Sequence, residues 1–144
     1  MYIKQSELFT GTSMDFVKKF MDISEMCSHK KGEVLFRKND PAKFFFILLN
    51  GCVKLCVGDP EQVVYNSKRN GEAFGWSSLI GGDVYSASAE CLEPTKLLKT
   101  NSDKLSRILE TDPDNGIIFY KQLAATLGNR LLETYKLVGP AKDE

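Results

Sequence analysis

The apolar and polar positions of this chain fall into three regimes. Residues 13–22 carry Met14, Val17, Phe20 and Met21 at helical spacing, with Ser13 placed to start the helix. From 23 to 100 the period shortens. Brief apolar or alternating runs are divided by Gly32, Asn39-Asp40-Pro41, Asn50-Gly51, Gly58-Asp59-Pro60, Asn70-Gly71, Gly81-Gly82-Asp83 and Glu93-Pro94. The runs between them predict strands at about 23–29, 34–36, 44–49, 52–57, 63–68, 86–91 and 96–99. Many short strands at regular spacing predict an antiparallel sandwich or barrel, and a jelly roll fits. Asn50-Gly51, between two β-rich runs, is the strongest hairpin signal.

The last third reads as helix. Residues 102–110 form a short one capped by Ser102 or Asn101, and Asp112-Pro113-Asp114 punctuates the chain after it. Residues 116–138 then form one long helical pattern with two apolar stripes. Ile117, Tyr120, Ala124, Leu127, Leu131, Tyr135 and Val138 make one, close to a seven-residue repeat; Ile118, Phe119, Leu123 and Leu132 make the other. One stripe is enough to hold a helix on its own domain, so the second predicts another covered surface. The expectation is a homodimer through this helix, with Ile117, Tyr120, Ala124, Leu127, Leu131 and Val138 at the interface. Residues 139–144 read as a frayed tail. The fold class is α+β: an antiparallel β jelly roll with an N-terminal helix and a long C-terminal dimerisation helix. It forms a single domain over 1–144, with the roll at about 23–100 and the C-terminal helices at about 102–138.

Charge and composition narrow the function. With 144 residues the chain is about one domain with room for a real core. Nineteen basic residues cancel nineteen acidic ones, which argues against a dedicated binder of DNA or anionic membrane. Lys30-Lys31 with Arg37-Lys38 is the one local basic candidate. No apolar run is long enough to span a bilayer and the N-terminus lacks a signal-peptide core, so the chain is expected to be cytoplasmic. Cys27, Cys52, Cys56 and Cys91 form no CxxC pair and read as buried, reduced thiols. The single histidine, His29, cannot supply a metal site of the multi-histidine kind, and no nucleophile–base constellation is present. No metal, no cofactor and no catalysis are assigned.

What remains is a binding motif. Asn70-Gly71-Glu72-Ala73-Phe74-Gly75-Trp76-Ser77-Ser78-Leu79-Ile80 ends a strand-like run in glycines and opens a short helical turn; Tyr85-Ser86-Ala87-Ser88-Ala89 follows. Free backbone N–H groups at such a turn cradle anions. Together with Gly32-Glu33-Val34-Leu35-Phe36, Asn39-Asp40-Pro41, Phe45-Phe46-Ile47-Leu48 and Gly51-Cys52-Val53-Lys54-Leu55, this stretch resembles a cyclic-nucleotide-binding domain. Gly128-Asn129-Arg130-Leu131-Leu132-Glu133-Thr134 resembles the long dimerisation helix of catabolite-activator (Crp/Fnr) regulators.

The resemblance runs from about Glu7 to Val138. It implies ligand contacts from Phe74, Gly75, Trp76, Ser77, Ser78, Tyr85, Ser86 and Ala87, and a cap over the ligand from Thr134 and Tyr135. Two charged positions depart from the family. Trp76 stands where a glutamate holds the ribose hydroxyl, and Tyr85 where an arginine grips the cyclic phosphate. The implied function is a non-enzymatic ligand-sensing regulator whose ligand is small and planar or nucleotide-like, but not a tightly held cyclic nucleotide. The alternatives are a cAMP or cGMP sensor with unusual contacts, or a silent dimerisation module whose pocket Trp76 fills. The family's regulators continue into a helix-turn-helix domain after the long helix. This chain ends at Glu144, so it either lacks that output or is a fragment, and no direct DNA binding is expected of it.

Overall fold

The computed structural model describes residues 6–58 and 60–138, with side chains through 136; the tail expected over 139–144 lies outside them. A 3-10 turn at Glu7–Phe9 leads into α1 (Met14–Asp22). Eight strands follow: β1 (Ser24–His29), β2 (Val34–Phe36), β3 (Phe44–Asn50), β4 (Val53–Val57), β5 (Gln62–Ser67), β6 (Ala73–Phe74), β7 (Ser88–Cys91) and β8 (Thr95–Asn101). The chain closes with α2 (Ser102–Thr111) and α3 (Pro113–Val138). The strands form two antiparallel four-stranded sheets, in the orders β1-β8-β3-β6 and β2-β7-β4-β5. This is the expected jelly roll flanked by helices.

The unbroken apolar run of β3 has a structural cause. Phe45, Ile47 and Leu49 join a cluster with Phe16, Phe20, Leu98, Leu105, Phe119 and Leu123, so this face lies under the helices. Phe46 and Leu48 join Phe36, Val53, Phe74, Tyr85, Ala89, Cys91 and Leu97 between the sheets. A strand buried on both faces has no polar positions to alternate with. The shared wall between the two clusters is therefore β3 with its partner β8.

Each helix start is fixed locally. The Ser13 hydroxyl accepts from the Phe16 amide at 3.2 Å, and the Asn115 side chain accepts from the Ser13 amide at 2.9 Å, tying α1 to α3. Asn101, rather than Ser102, caps α2, accepting from the Lys104 amide at 3.0 Å. α3 begins three residues earlier than the pattern predicts. Pro113 is its first residue, where a missing N–H costs nothing, so Asp112-Pro113 opens the helix as well as ending the previous one.

The Asn50-Gly51 hairpin does not form. β3 pairs with β6 and β8, while β4 pairs with β5 and β7, so this turn carries the chain from one sheet to the other. Gly51 adopts φ +118°, and a Cβ there would lie 2.5 Å from Thr95 Oγ1 and 2.8 Å from the Pro94 carbonyl. The turn packs beneath the β7–β8 corner, and that contact, not strand pairing, demands the glycine.

Candidate functional site

β6 is two residues long and pairs Phe74 with Phe46 and Ala73 with Ile47. Its ring stacks on Phe46, centroids 5.1 Å apart. Gly75 then turns the chain with φ +75°, and a Cβ there would meet Phe46 Cδ2 at 2.9 Å. Only glycine combines that conformation with that approach. A 3-10 turn over Trp76–Ser78 follows. The return segment is pinned to the β2–β3 loop: the Asn39 amide donates to the Tyr85 carbonyl at 2.9 Å, and the Tyr85 amide to the Asp40 carbonyl at 3.0 Å.

Trp76, Ser77, Tyr85, Ser86 and Ala87 meet around one cavity of about 260 Å³, with Gly75 beside them and Thr134 of α3 across from them. Seven of the ten expected ligand residues thus share a site. The other three do not line it. Phe74 is fully buried behind the turn. The Ser78 hydroxyl donates to the Gly75 carbonyl at 2.9 Å and the Phe44 carbonyl at 3.2 Å. Tyr135 is exposed on α3.

Tyr85 is only 4% exposed. Its ring stacks on Phe36 with centroids 3.8 Å apart and planes at 16°. Its hydroxyl donates to the Phe44 carbonyl at 2.7 Å and accepts from the Phe44 amide at 3.1 Å. Burial raises its pKa above the ordinary value, partly offset by its backbone hydrogen bonds at Phe44 and Lys43. Tyr85 is a neutral structural brace.

The sequence reading missed Phe36, Leu55, Val57, Val64, Tyr65 and Arg130, which complete the lining. Leu55 and Val57 alternate along β4, and Arg130 sits one helical turn before Thr134, so spacing alone could have flagged them. Arg130 is the one charged side chain of the lining. Its Nη2 donates to the Ala73 carbonyl at 2.6 Å and lies 3.7 Å from Glu72 Oε2, and its guanidinium covers the Tyr65 ring at 4.5 Å. Glu72 is buried and accepts from the Tyr65 hydroxyl, the Ser67 hydroxyl at 3.3 Å and the Lys68 and Arg69 amides at 3.1 and 3.0 Å. Burial, then this hydrogen bond, raises the Tyr65 pKa. The clasp ties α3 to the β5–β6 corner at the cavity's edge.

Other candidates lead elsewhere. His29 is half-buried at the end of β1, its Nδ1 3.5 Å from Glu33 Oε1. Cys52, Cys56 and Cys91 are buried, Cys27 is partly exposed, and burial raises the pKa of all four thiols. Among the described residues no group of three His, Cys, Asp or Glu is placed to hold a metal, and no helix is long and apolar enough to cross a membrane.

The sequence profile of the cyclic nucleotide-binding domain matches residues 26–112, more than half of the chain. A candidate cyclic nucleotide-binding protein from Geobacter metallireducens superposes with a TM-score of 0.77 at 28% identity, over 86% of this chain and 91% of that one. A cyclic nucleotide-binding domain from Methylobacillus flagellatus gives 0.83 at 22% identity, over 98% and 83%, a likeness of fold. The Thermus thermophilus catabolite activator protein gives 0.75 at 25% identity over 92% of this chain, which spans 62% of that protein. No curated protein matches the chain.

Proposed function

The chain belongs to the cyclic nucleotide-binding domain family, and from that membership we propose a regulatory, non-enzymatic sensor that binds its ligand without the family's cyclic-phosphate grip. The observation that carries this reading is the state of Tyr85. Both the donor and an acceptor site of its hydroxyl are spent on the Phe44 backbone, and its ring is stacked on Phe36. A ligand phosphate would find no cation there. Losing a charge-assisted bond to an anion costs about 1.5–3 kcal/mol, or ten- to a hundredfold in affinity.

The ligand this cavity favours is planar and mainly apolar. Leu55, Val57, Val64 and Trp76 offer a flat hydrophobic bed, with Ser77, Ser86, Thr134 and Arg130 as polar points. The open volume speaks against a silent module, because Trp76 leans partly on the helix-side core and leaves about 260 Å³ unfilled. Calorimetry with cAMP and cGMP is expected to give dissociation constants above about 10 μM, near −7 kcal/mol. Tighter binding of either would overturn the reading.

Homodimerisation through α3 belongs to the same proposal. Ile117, Tyr120 and Leu131 are 64%, 40% and 52% exposed, and Ala124 is exposed with them. Leu127 is half-buried against the helix-side core, so it sits at the edge of this free face. Val138 ends the helix with its side chain outside the described residues. A contiguous apolar strip of this kind supports a second copy as its cover.

A further inference from the structure

Phe36 and Tyr85 line two cavities, not one. The second is a cleft of about 360 Å³ bounded by β1, β2, the β2–β3 loop, β3 and β8. We infer that this cleft is a second ligand site, for a planar aromatic carboxylate. The proposal does not rest on the reading of the first cavity, the cassette cavity built around residues 75–87.

The floor is aromatic: Phe44, Phe46, Phe36 and Tyr85 present rings to it. Flat rings recognise flat apolar bodies through offset stacking and edge contacts. The rim carries two cations and one acid. Lys43, at the end of the β2–β3 loop, and Lys99 of β8 lie on it with Asp40 and His29. Lys99 is half-buried with its Nζ 4.1 Å above the Phe44 ring. Among the described residues neither lysine makes an ion pair within 4 Å. Glu25, cross-strand from Lys99, is exposed.

The acidic neighbours are already engaged. Asp40 accepts from the Arg37 amide at 2.9 Å, and Glu33 holds His29 while accepting from the Lys30 amide. Two lysines without an ion pair, one of them with its ammonium over the Phe44 ring, describe a ligand with a ring below and a negative charge above. A carboxylate meeting both lysines would form charge-assisted hydrogen bonds. A neutral ring of the same shape would gain the stacking alone. The shared wall gives the site a second consequence. The Phe36–Tyr85 pair cannot shift toward one cavity without changing the other, so a ligand here bears on the cassette cavity.

The probe is 2-naphthoate, compared with the neutral 2-naphthamide, in an amide NMR titration of the whole chain. Naphthoate is expected to give saturable shifts at His29, Lys43, Phe44 and Lys99, with the amide binding at least about tenfold more weakly. Lys43→Gln combined with Lys99→Gln is expected to lower naphthoate to the affinity of the amide and leave the amide unchanged. Equal affinity of acid and amide would overturn the proposal. So would shifts confined to Ser77, Ser86 and Thr134, which would put the probe in the cassette cavity, or no saturable shift in the millimolar range. The acid–amide comparison uses the unaltered protein, so it decides the matter even if the double variant does not fold.

Discussion

Tyr85, the residue expected at the site's anion-binding position, acts as a brace. The Tyr85 hydroxyl ties the return segment of the cassette to the start of β3 through both backbone groups of Phe44. Tyr85→Phe keeps the stacked ring but removes that tie, leaving a partly buried amide without this acceptor. It is expected to cost about 1–3 kcal/mol in urea unfolding. The same residue sets an alkaline limit. Burial raises the pKa of Tyr85, and of Tyr65, above the unfolded value of about 10. A raised folded pKa contributes stability that is complete below the unfolded pKa and is lost as pH rises through the folded one. Thermal stability is therefore expected to be flat in these two groups from neutral pH to about 9 and to fall above about 10. Tyr85→Phe should shallow that fall; an unchanged alkaline limb would show that the brace is not felt in solution.

At the scale of an element, α3 does two jobs on two faces. Phe119 and Leu123 are buried, and the Phe119 ring meets Phe9, Phe16 and Phe45 with centroids at 5.7–6.2 Å. One turn of helix thereby joins the N-terminal turn, α1 and β3. Phe119→Ala is expected to cost about 3–5 kcal/mol, because the cavity it leaves is walled by three other elements that cannot all close in. Ile117, two residues earlier, lies on the free face, and Ile117→Ala is expected to change monomer stability by less than about 0.5 kcal/mol. Denaturant unfolding at low protein concentration separates the two. Further along, Arg130 fastens the same helix to the Ala73 carbonyl and Glu72, so any ligand that reaches Arg130 also reaches the helix that bears the free face.

For the whole molecule, that free face is the surface on which the proposed dimer depends. Ile117 and Leu131 lie two heptads apart on one line of α3 and are both more than half exposed. The unaltered protein is expected to be a dimer in light scattering, and Ile117→Glu combined with Leu131→Glu a folded monomer. Leu127 is the poorer target, since its half-buried side chain also serves the core. A protein that stays monomeric at high concentration would remove the dimer proposal and leave the cavities untouched. The zero formal net charge adds a second expectation at this scale: fluorescence anisotropy at physiological salt should show no sequence-selective duplex binding by this chain.

Much of this was legible in the order of residues. Turn residues at regular spacing determined seven of the eight strands and their bounds to within a few residues; the two-residue β6 (Ala73–Phe74) is too short to write an alternation into the chain. Helical periodicity pointed to α1 and to the buried Phe119 and Leu123 of α3, because burial of one side of an element writes its period into the chain. The cassette motif brought Gly75, Trp76, Ser77, Tyr85, Ser86, Ala87 and Thr134 to one cavity. Tertiary structure alone decided three things. It turned Asn50-Gly51 from a hairpin into a crossing between sheets, since a turn signal specifies a bend but not which strands pair beyond it. It took Phe74 and Ser78 out of the cavity lining, because Phe74 packs into the core and the Ser78 hydroxyl bonds back to the Gly75 carbonyl. It also brought Arg130 and Tyr65 to the rim from segments 65 residues apart, and put Tyr85 between two cavities. Local pattern records what each element buries; which distant side chains then share a wall depends on how the whole chain packs.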